Sequence, residues 1–244
     1  SRSTGKFNAV EMDKLMSELD KPIGRCANLI ASLEFAQTVG AKSGAIPSYY
    51  VTNPVSTQKI FLNSGEPGPS AKILRIAMMK NEFEPVQIVI CPVNTDLKNV
   101  VVSTSSLIGP NGASIPADRI SITPMAYVNC KEPTPGSPYK GWIPDVLLPN
   151  KPLNINKDNR QPYFITVRTT SQDTPGEYNG NVKIAVESGE KVELPFKVKV
   201  YNVTLPVKSS LRTVFLLGWA YGSFLDGITN EEAKEIVPYL NTDG

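Results

Sequence analysis

The sequence predicts a mainly β protein, built as a two-sheet antiparallel β-sandwich. Its 21 prolines and 17 glycines fall between short apolar segments, which is how antiparallel proteins punctuate their turns. No helical pattern separates these segments, so βαβ crossovers are not expected. The predicted strands cover residues 59–63, 72–79, 86–91, 100–103, 120–122, 126–129, 163–169, 181–187 and 191–201.

The segment 191–201 is the clearest predicted strand. Its apolar side chains alternate with charged ones, so one face is expected to be buried and the other to face solvent. Through a turn at Ser188 and Gly189 it should form a hairpin with 181–187. The expected buried residues are Val192, Leu194, Phe196, Val198 and Val200, whereas Lys197 and Lys199 should face water.

The amino-terminal part, residues 1–54, is predicted to be a helical appendage followed by a linker. Met12, Leu15 and Leu19 recur at helical spacing, and Pro22 with Gly24 is expected to divide the segment into two helices. The polar face mixes both charge signs, which favours packing on the protein over binding to a membrane surface. Residues 40–54 are expected to form the linker.

A proline-rich tract, residues 132–152, is predicted to be an ordered surface loop. Trp142 lies in it and is expected to hold irregular backbone against the protein. Stacking of Trp142 on a sugar ring is the alternative interpretation. Packing is favoured over stacking.

The carboxyl end changes character after the sandwich, residues 55–206. Residues 211–218 form a nearly continuous apolar segment, as in a strand buried on both faces. Thr229 and Glu232 have the spacing of a capping box, which predicts a helix to about Tyr239. One β/α unit is not stable alone. Residues 207–244 are therefore expected to be the start of a truncated (β/α)8 barrel domain.

Composition excludes several kinds of site. The chain has no histidine, which removes histidine-dependent nucleophiles and imidazole zinc sites. Cys26, Cys91 and Cys130 lie too far apart for a metal knuckle and allow at most one internal disulfide. Cys91 ends an apolar segment and is expected to be a buried small hydrophobe. No metal ion or cofactor is predicted.

The charge and hydropathy patterns also limit the partners. The 25 basic and 23 acidic residues form no long run of one sign, so neither nucleic acid nor insertion into a membrane is predicted.

The order of several short motifs resembles that of a known family. They are Asn-Glu-Phe-Glu-Pro at 81–85, Gly-Trp-Ile-Pro-Asp at 141–145, Asp-Thr-Pro-Gly-Glu-Tyr at 173–178, the strand 194–200 and Leu-Pro at 205–206. With the apolar segment 211–215, this series resembles the amino-terminal β-sandwich and first barrel strand of glycoside hydrolase family 123 and its uncharacterised relatives. The resemblance spans residues 59–215.

The resemblance implies a retaining β-N-acetylgalactosaminidase-like architecture, in which a sandwich supports a catalytic barrel. In that family neighbouring Asp and Glu residues assist attack by the acetamido group of the substrate. The chain contains no Asp-Glu dipeptide, and the capping box accounts for Glu231-Glu232. We therefore assign no catalytic residue here.

The functional hypothesis is a non-catalytic amino-terminal supporting domain of a glycoside hydrolase-like protein that acts on N-acetylhexosamine-containing glycans. The glycan would be bound through the remainder of the same protein. Two alternatives stay open: a structural or adhesive sandwich, and a glycan-binding protein without catalysis. The resemblance implies a secreted, periplasmic or cell-surface location.

Contacts to glycan are predicted in the loop after the first barrel strand. Trp219, Tyr221 and Asp226 would emerge at the carboxyl end of that strand, where barrel active sites lie. The alternative is that both aromatic residues pack at the barrel rim. Separately, Asn202-Val203-Thr204 matches a glycosylation acceptor.

Overall fold

The computed structural model describes residues 9–38, 46–63, 68–132 and 139–208. The described elements are one α-helix, α1 (Ala9–Thr38), and twelve strands, together with two short 3-10 turns. The strands are β1 (Tyr49–Thr52), β2 (Leu74–Lys80), β3 (Phe83–Pro92), β4 (Leu97–Thr104), β5 (Leu107–Ile108), β6 (Ser114–Ile115), β7 (Ile120–Cys130), β8 (Gly141–Leu147), β9 (Leu153–Ile155), β10 (Gln161–Arg168), β11 (Gly176–Ala185) and β12 (Lys191–Thr204).

The strands form two sheets around one hydrophobic core. One sheet has the order β1-β3-β10-β7-β8, and the other has the order β2-β12-β11-β4-β9 with the short strands β5 and β6 attached beside β11. The prediction of a mainly β, two-sheet protein is therefore confirmed.

One pairing departs from the predicted antiparallel pattern, because β12 and β2 run parallel. Turn geometry does not dictate their direction, since more than a hundred residues separate them and only a tight hairpin forces an antiparallel pair. The direction of β12 is fixed instead by its hairpin with β11.

The β11–β12 hairpin confirms the strongest prediction. Val182 pairs with Leu194 and Ile184 pairs with Val192, and all five predicted core residues of β12 are buried. Lys199 is exposed as expected, whereas Lys197 is half-buried. The turn uses Gly189 at φ 90°, a left-handed conformation that favours glycine.

The amino-terminal segment differs from its prediction in two ways. Helix α1 is continuous through Pro22 and Gly24; the φ of proline lies within the helical range, and burial of Ala31 and Phe35 stabilises the carboxyl-terminal half. The predicted linker contains β1, whose four residues are all buried. One face of β1 points to the core, where Tyr49 Oη donates to the Ile184 carbonyl at 3.2 Å, and α1 covers the other.

Two further strand predictions are wrong. Residues 59–63 form no strand, and the tract predicted as a loop contains the edge strand β8. Pro144 is compatible with β8 because an edge strand has one row of backbone groups outside the ladder. The segments predicted as 120–122 and 126–129 are one strand, β7, that continues through Pro124.

The chain divides into two compact units, Ser1–Leu205 and Pro206–Gly244. The barrel strand and helix predicted at 211–239 lie outside the described residues. Within the described part, no helix has the length and apolar character needed to cross a membrane.

Candidate functional site

The predicted glycan contacts, Trp219, Tyr221 and Asp226, lie outside the described residues, so their role stays a prediction. The candidate glycosylation acceptor lies inside them. Asn202 is exposed near the end of β12, as is Thr204 two residues later. Its occupancy stays a prediction.

Trp142 lies on the edge strand β8, opposite Asn129 of β7. Its side chain is 49% exposed, so it does not anchor the chain as predicted. Val128 of β7 and Leu147 of β8 are also exposed. The edge of this sheet therefore presents apolar side chains to solvent.

The motif at 81–85 builds the turn between β2 and β3. Asn81 has φ 61° and donates from Nδ2 to the Leu205 carbonyl at 2.9 Å. The carboxylate of Glu82 accepts the backbone N–H of Met79, and the Glu82 N–H donates to Thr169 Oγ1 at 3.0 Å. This hydrogen-bonded corner joins the turn to the ends of β10 and β12.

Glu82 and Glu84 are the carboxylates of this motif. Burial and the nearby charge of Glu82 raise the pKa of Glu84 above its usual value. Because the Glu82 carboxylate already closes the turn, we assign Glu82 a structural role.

The motif at 173–178 is held by an ion pair and a tyrosine. Arg119 donates from both terminal nitrogens to Asp173, at 2.7 and 2.9 Å. Burial alone would raise the pKa of Asp173. The pKa is nevertheless lowered below its usual value, because Asp173 accepts hydrogen bonds from Arg119 and from the Thr170 N–H and lies beside the positive charge of Arg119. Tyr178 Oη donates to the Thr174 carbonyl at 2.7 Å.

The position of Gly176 in this motif requires glycine. Its φ is 144°, and a Cβ at this position would collide with the ring of Pro110. The motifs at 81–85 and 173–178 thus shape turns and corners. Within residues 9–38, 46–63, 68–132 and 139–208, no three His, Cys, Asp or Glu side chains are placed to hold a metal ion.

A cavity of about 450 Å³ lies where the amino-terminal segment meets the five-stranded sheet. Its walls come from the segment 52–61, from Gly68 and Pro69, and from Val89 and Cys91 of β3. Arg160, immediately before β10, completes the lining.

Arg160 is the most unusual residue of this cavity because it is a cation that is only 6% exposed. Its backbone N–H donates to the Leu62 carbonyl at 2.8 Å, and its carbonyl accepts the hydroxyl of Tyr127 at 2.9 Å. Nη2 donates to Asn28 Oδ1 on α1 at 2.9 Å. The same Asn28 oxygen accepts the hydroxyl of Tyr50 at 3.0 Å.

The thiol and hydroxyl groups around Arg160 are neutral near pH 7. Burial raises the pKa of the Cys91 thiol to about 11, although the positive charge of Arg160 opposes this shift. Burial also raises the pKa values of the Tyr50 and Tyr127 hydroxyls above their usual range. Cys91 is buried, as predicted, and all three cysteines are free.

Sequence reasoning did not identify this cavity. Arg160 stands in a polar stretch with no motif around it, and Asn28 lies 132 residues away in the chain. Of the lining, only Cys91 was singled out in the sequence, where the apolar segment that it ends correctly predicted its burial.

Comparisons with known proteins agree with this fold. Residues 66–186 match the model of the glycoside hydrolase 123 N-terminal domain. A family 123 glycoside hydrolase from Clostridium perfringens, studied for glycolipid glycan hydrolysis, has a similar fold: the TM-score is 0.57 at 17% identity, over 66% of this chain and 28% of that one.

Looser likenesses connect the chain to other proteins. The GspB Siglec domain matches with a TM-score of 0.32 at 10% identity, covering 80% of this chain and 76% of that one. The SrpA adhesin of Streptococcus sanguinis, in a mutant form, matches with a TM-score of 0.30 at 8% identity, covering 64% of this chain and 56% of that one. No curated protein sequence matches the chain.

Proposed function

We propose that the chain is the non-catalytic supporting part of a larger glycoside hydrolase, because residues 66–186 match the model of the glycoside hydrolase 123 N-terminal domain. Its substrates would be glycans that contain N-acetylhexosamine. The family match over the sandwich is the observation that carries the proposal.

The structural roles of two family motifs favour a non-catalytic role for the sandwich. The segments at 81–85 and 173–178 close turns and corners of the sandwich through Asn81, Asp173 and Tyr178. None of these side chains is left free to act on a substrate. The chain spans 28% of the Clostridium perfringens enzyme, so the activity of a whole protein of this kind is part of the proposal.

The proposed chemistry places the reacting groups outside the described sandwich. Hydrolysis assisted by the substrate acetamide needs one carboxylate to orient the amide and a carboxylic acid to protonate the leaving oxygen. We propose that the remainder of the protein supplies both. Trp219, Tyr221 and Asp226 would contact the glycan beside them, and the protein would act outside the cytoplasm.

The test compares this chain with a longer protein that includes the following region, using a chromogenic β-N-acetylgalactosaminide. The longer protein should release the chromophore and the chain alone should not, while a chromogenic β-glucoside serves as the control substrate. Turnover by the highly purified chain would overturn the non-catalytic role. A longer protein that is folded but inactive on every N-acetylhexosaminide would overturn the substrate class.

A second candidate function rests on Trp142, which is 49% exposed on the edge strand β8. An exposed aromatic face suits the apolar C–H surface of a sugar, so the sandwich itself would bind glycan. Loss of binding on a glycan array in Trp142→Ala, with an unchanged melting temperature, would favour it over the supporting role.

A further inference from the structure

Arg160 is a buried cation without a counter-ion among the described residues. One hydrogen bond, from Nη2 to Asn28 Oδ1 at 2.9 Å, engages its guanidinium group. Its Nε is buried and has no acceptor in the part of the chain that the structure describes. No described carboxylate forms an ion pair with it; the described ion pairs are Arg119–Asp173, Lys140–Glu132 and Lys183–Glu193.

Burying the Arg160 charge without a counter-ion lowers the stability of the folded protein. A guanidinium group stays charged at any ordinary pH, and a buried charge without a partner destabilises the folded state. The nearby thiol of Cys91 and hydroxyl of Tyr50 are neutral near pH 7, because burial raises their pKa values. Neither of these groups therefore supplies the missing negative charge.

The cavity beside Arg160 has room for a small molecule. Its volume of about 450 Å³ lies within the range of ligand pockets. Asn53 and Gln58 are polar residues of the lining, Ile60 is an apolar one, and the exposed Lys59 adds a second positive charge. A buried cation in a lining of polar and apolar residues suits a small organic acid.

We propose that this cavity binds a small carboxylate-bearing ligand, of the size of a sugar acid, with Arg160 as its anchor. A carboxylate matches the planar donors of a guanidinium group and can accept two parallel hydrogen bonds. The site combines the family domain with the amino-terminal segment, since Arg160 belongs to the former and Asn28 to the latter. It does not depend on the proposed catalytic role of a following domain.

The test measures the melting temperature and calorimetric binding of the full 244-residue chain with D-glucuronate and N-acetylneuraminate. D-glucose and N-acetylgalactosamine are the neutral controls, and sodium sulfate controls for anions in general. We expect saturable stabilisation by at least one of the two acids and none by the neutral sugars. No response to either acid, or an equal response to sulfate, would overturn the proposal.

Two variants separate binding from folding. Arg160→Met should weaken acid binding by about 100-fold, because it removes hydrogen bonds to a charged group, while the empty variant should melt at the same temperature as the parent or higher. A much lower melting temperature of empty Arg160→Met would indicate a structural cation and overturn the proposal. Arg160→Lys keeps the charge and loses the planar donors, so it should fold and bind more weakly than the parent.

Discussion

The side chain of Asn81 holds the last residue of the sandwich unit, because its Nδ2 donates to the carbonyl of Leu205 at 2.9 Å. Leu205 in turn donates its N–H to the Lys80 carbonyl at 2.9 Å. The end of β12 is thus tied on both sides to the turn that follows β2. The motif at 81–85 therefore has a physical role, since Asn81 fixes the position of the chain where β12 ends.

Asn81 provides the first prediction. Asn81→Ala should lower the free energy of unfolding by about 2 kcal/mol, because it loses a hydrogen bond and because alanine tolerates the left-handed region less well than asparagine. Asn81→Gly should cost only about 1 kcal/mol, since glycine tolerates φ 61°. Urea unfolding of both variants measures the difference. Equal costs would contradict the backbone part of the explanation.

Phe196 tests the core between the sheets. It is fully buried on β12, so Phe196→Ala should cost about 3–5 kcal/mol through lost burial and a cavity. Lys199→Ala, on the exposed face of the same strand, is the matched control and should change stability by less than about 0.5 kcal/mol. A cost below about 1 kcal/mol for Phe196→Ala would contradict its place in the core.

The elements that the sequence predicted well are those whose two faces have different surroundings. The strand β12 alternates because the core covers one face and water most of the other, which leaves a period of two in the sequence. The strand β1 has no such pattern, because the core and α1 together bury all four of its residues. A short strand buried on both faces cannot be distinguished from an apolar linker by periodicity.

The strand β8 and the cavity were missed for different reasons. Prolines around Trp142 indicated a loop, but an edge strand tolerates proline where the backbone N–H faces away from the ladder. The burial of Arg160 depends on contacts with Asn28 and the turn at Leu62. Contacts between residues so far apart in the chain leave no local signal at Arg160 itself.

Asp173 predicts how stability changes in acid. Its folded pKa is lowered, mainly by Arg119 and Thr170 acting against burial, so its stabilising contribution is complete above the unfolded pKa of about 4 and is lost as the pH falls through the folded value. Asp173→Asn should cost about 2 kcal/mol near pH 7. That difference from the parent should shrink as the pH falls below about 4.

The measurement for Asp173 is urea unfolding of parent and variant at a series of pH values. Asp145→Asn is the control, since Asp145 is exposed on β8 and its side chain has no hydrogen bond or ion pair among the described residues. Its difference from the parent should stay small throughout. A constant cost for Asp173→Asn across the series would show that the ion pair is not the source of the acid dependence.

Two buried tyrosines should respond in opposite directions to removal of their hydroxyl groups. Tyr163 is fully buried, and its Oη has no hydrogen-bond partner among the described residues. A buried polar atom without a partner costs about 1–3 kcal/mol, so Tyr163→Phe should raise the free energy of unfolding.

Tyr178 is buried to the same extent, but its Oη donates to the Thr174 carbonyl at 2.7 Å. Tyr178→Phe should therefore lower stability by about 1 kcal/mol. Urea unfolding of the two variants makes the comparison, because both delete the same atom from the same type of residue. A loss of stability in Tyr163→Phe equal to that in Tyr178→Phe would mean that the Tyr163 hydroxyl has a partner, such as a buried water molecule, and that the interior of the sandwich is wetter there than its side chains indicate.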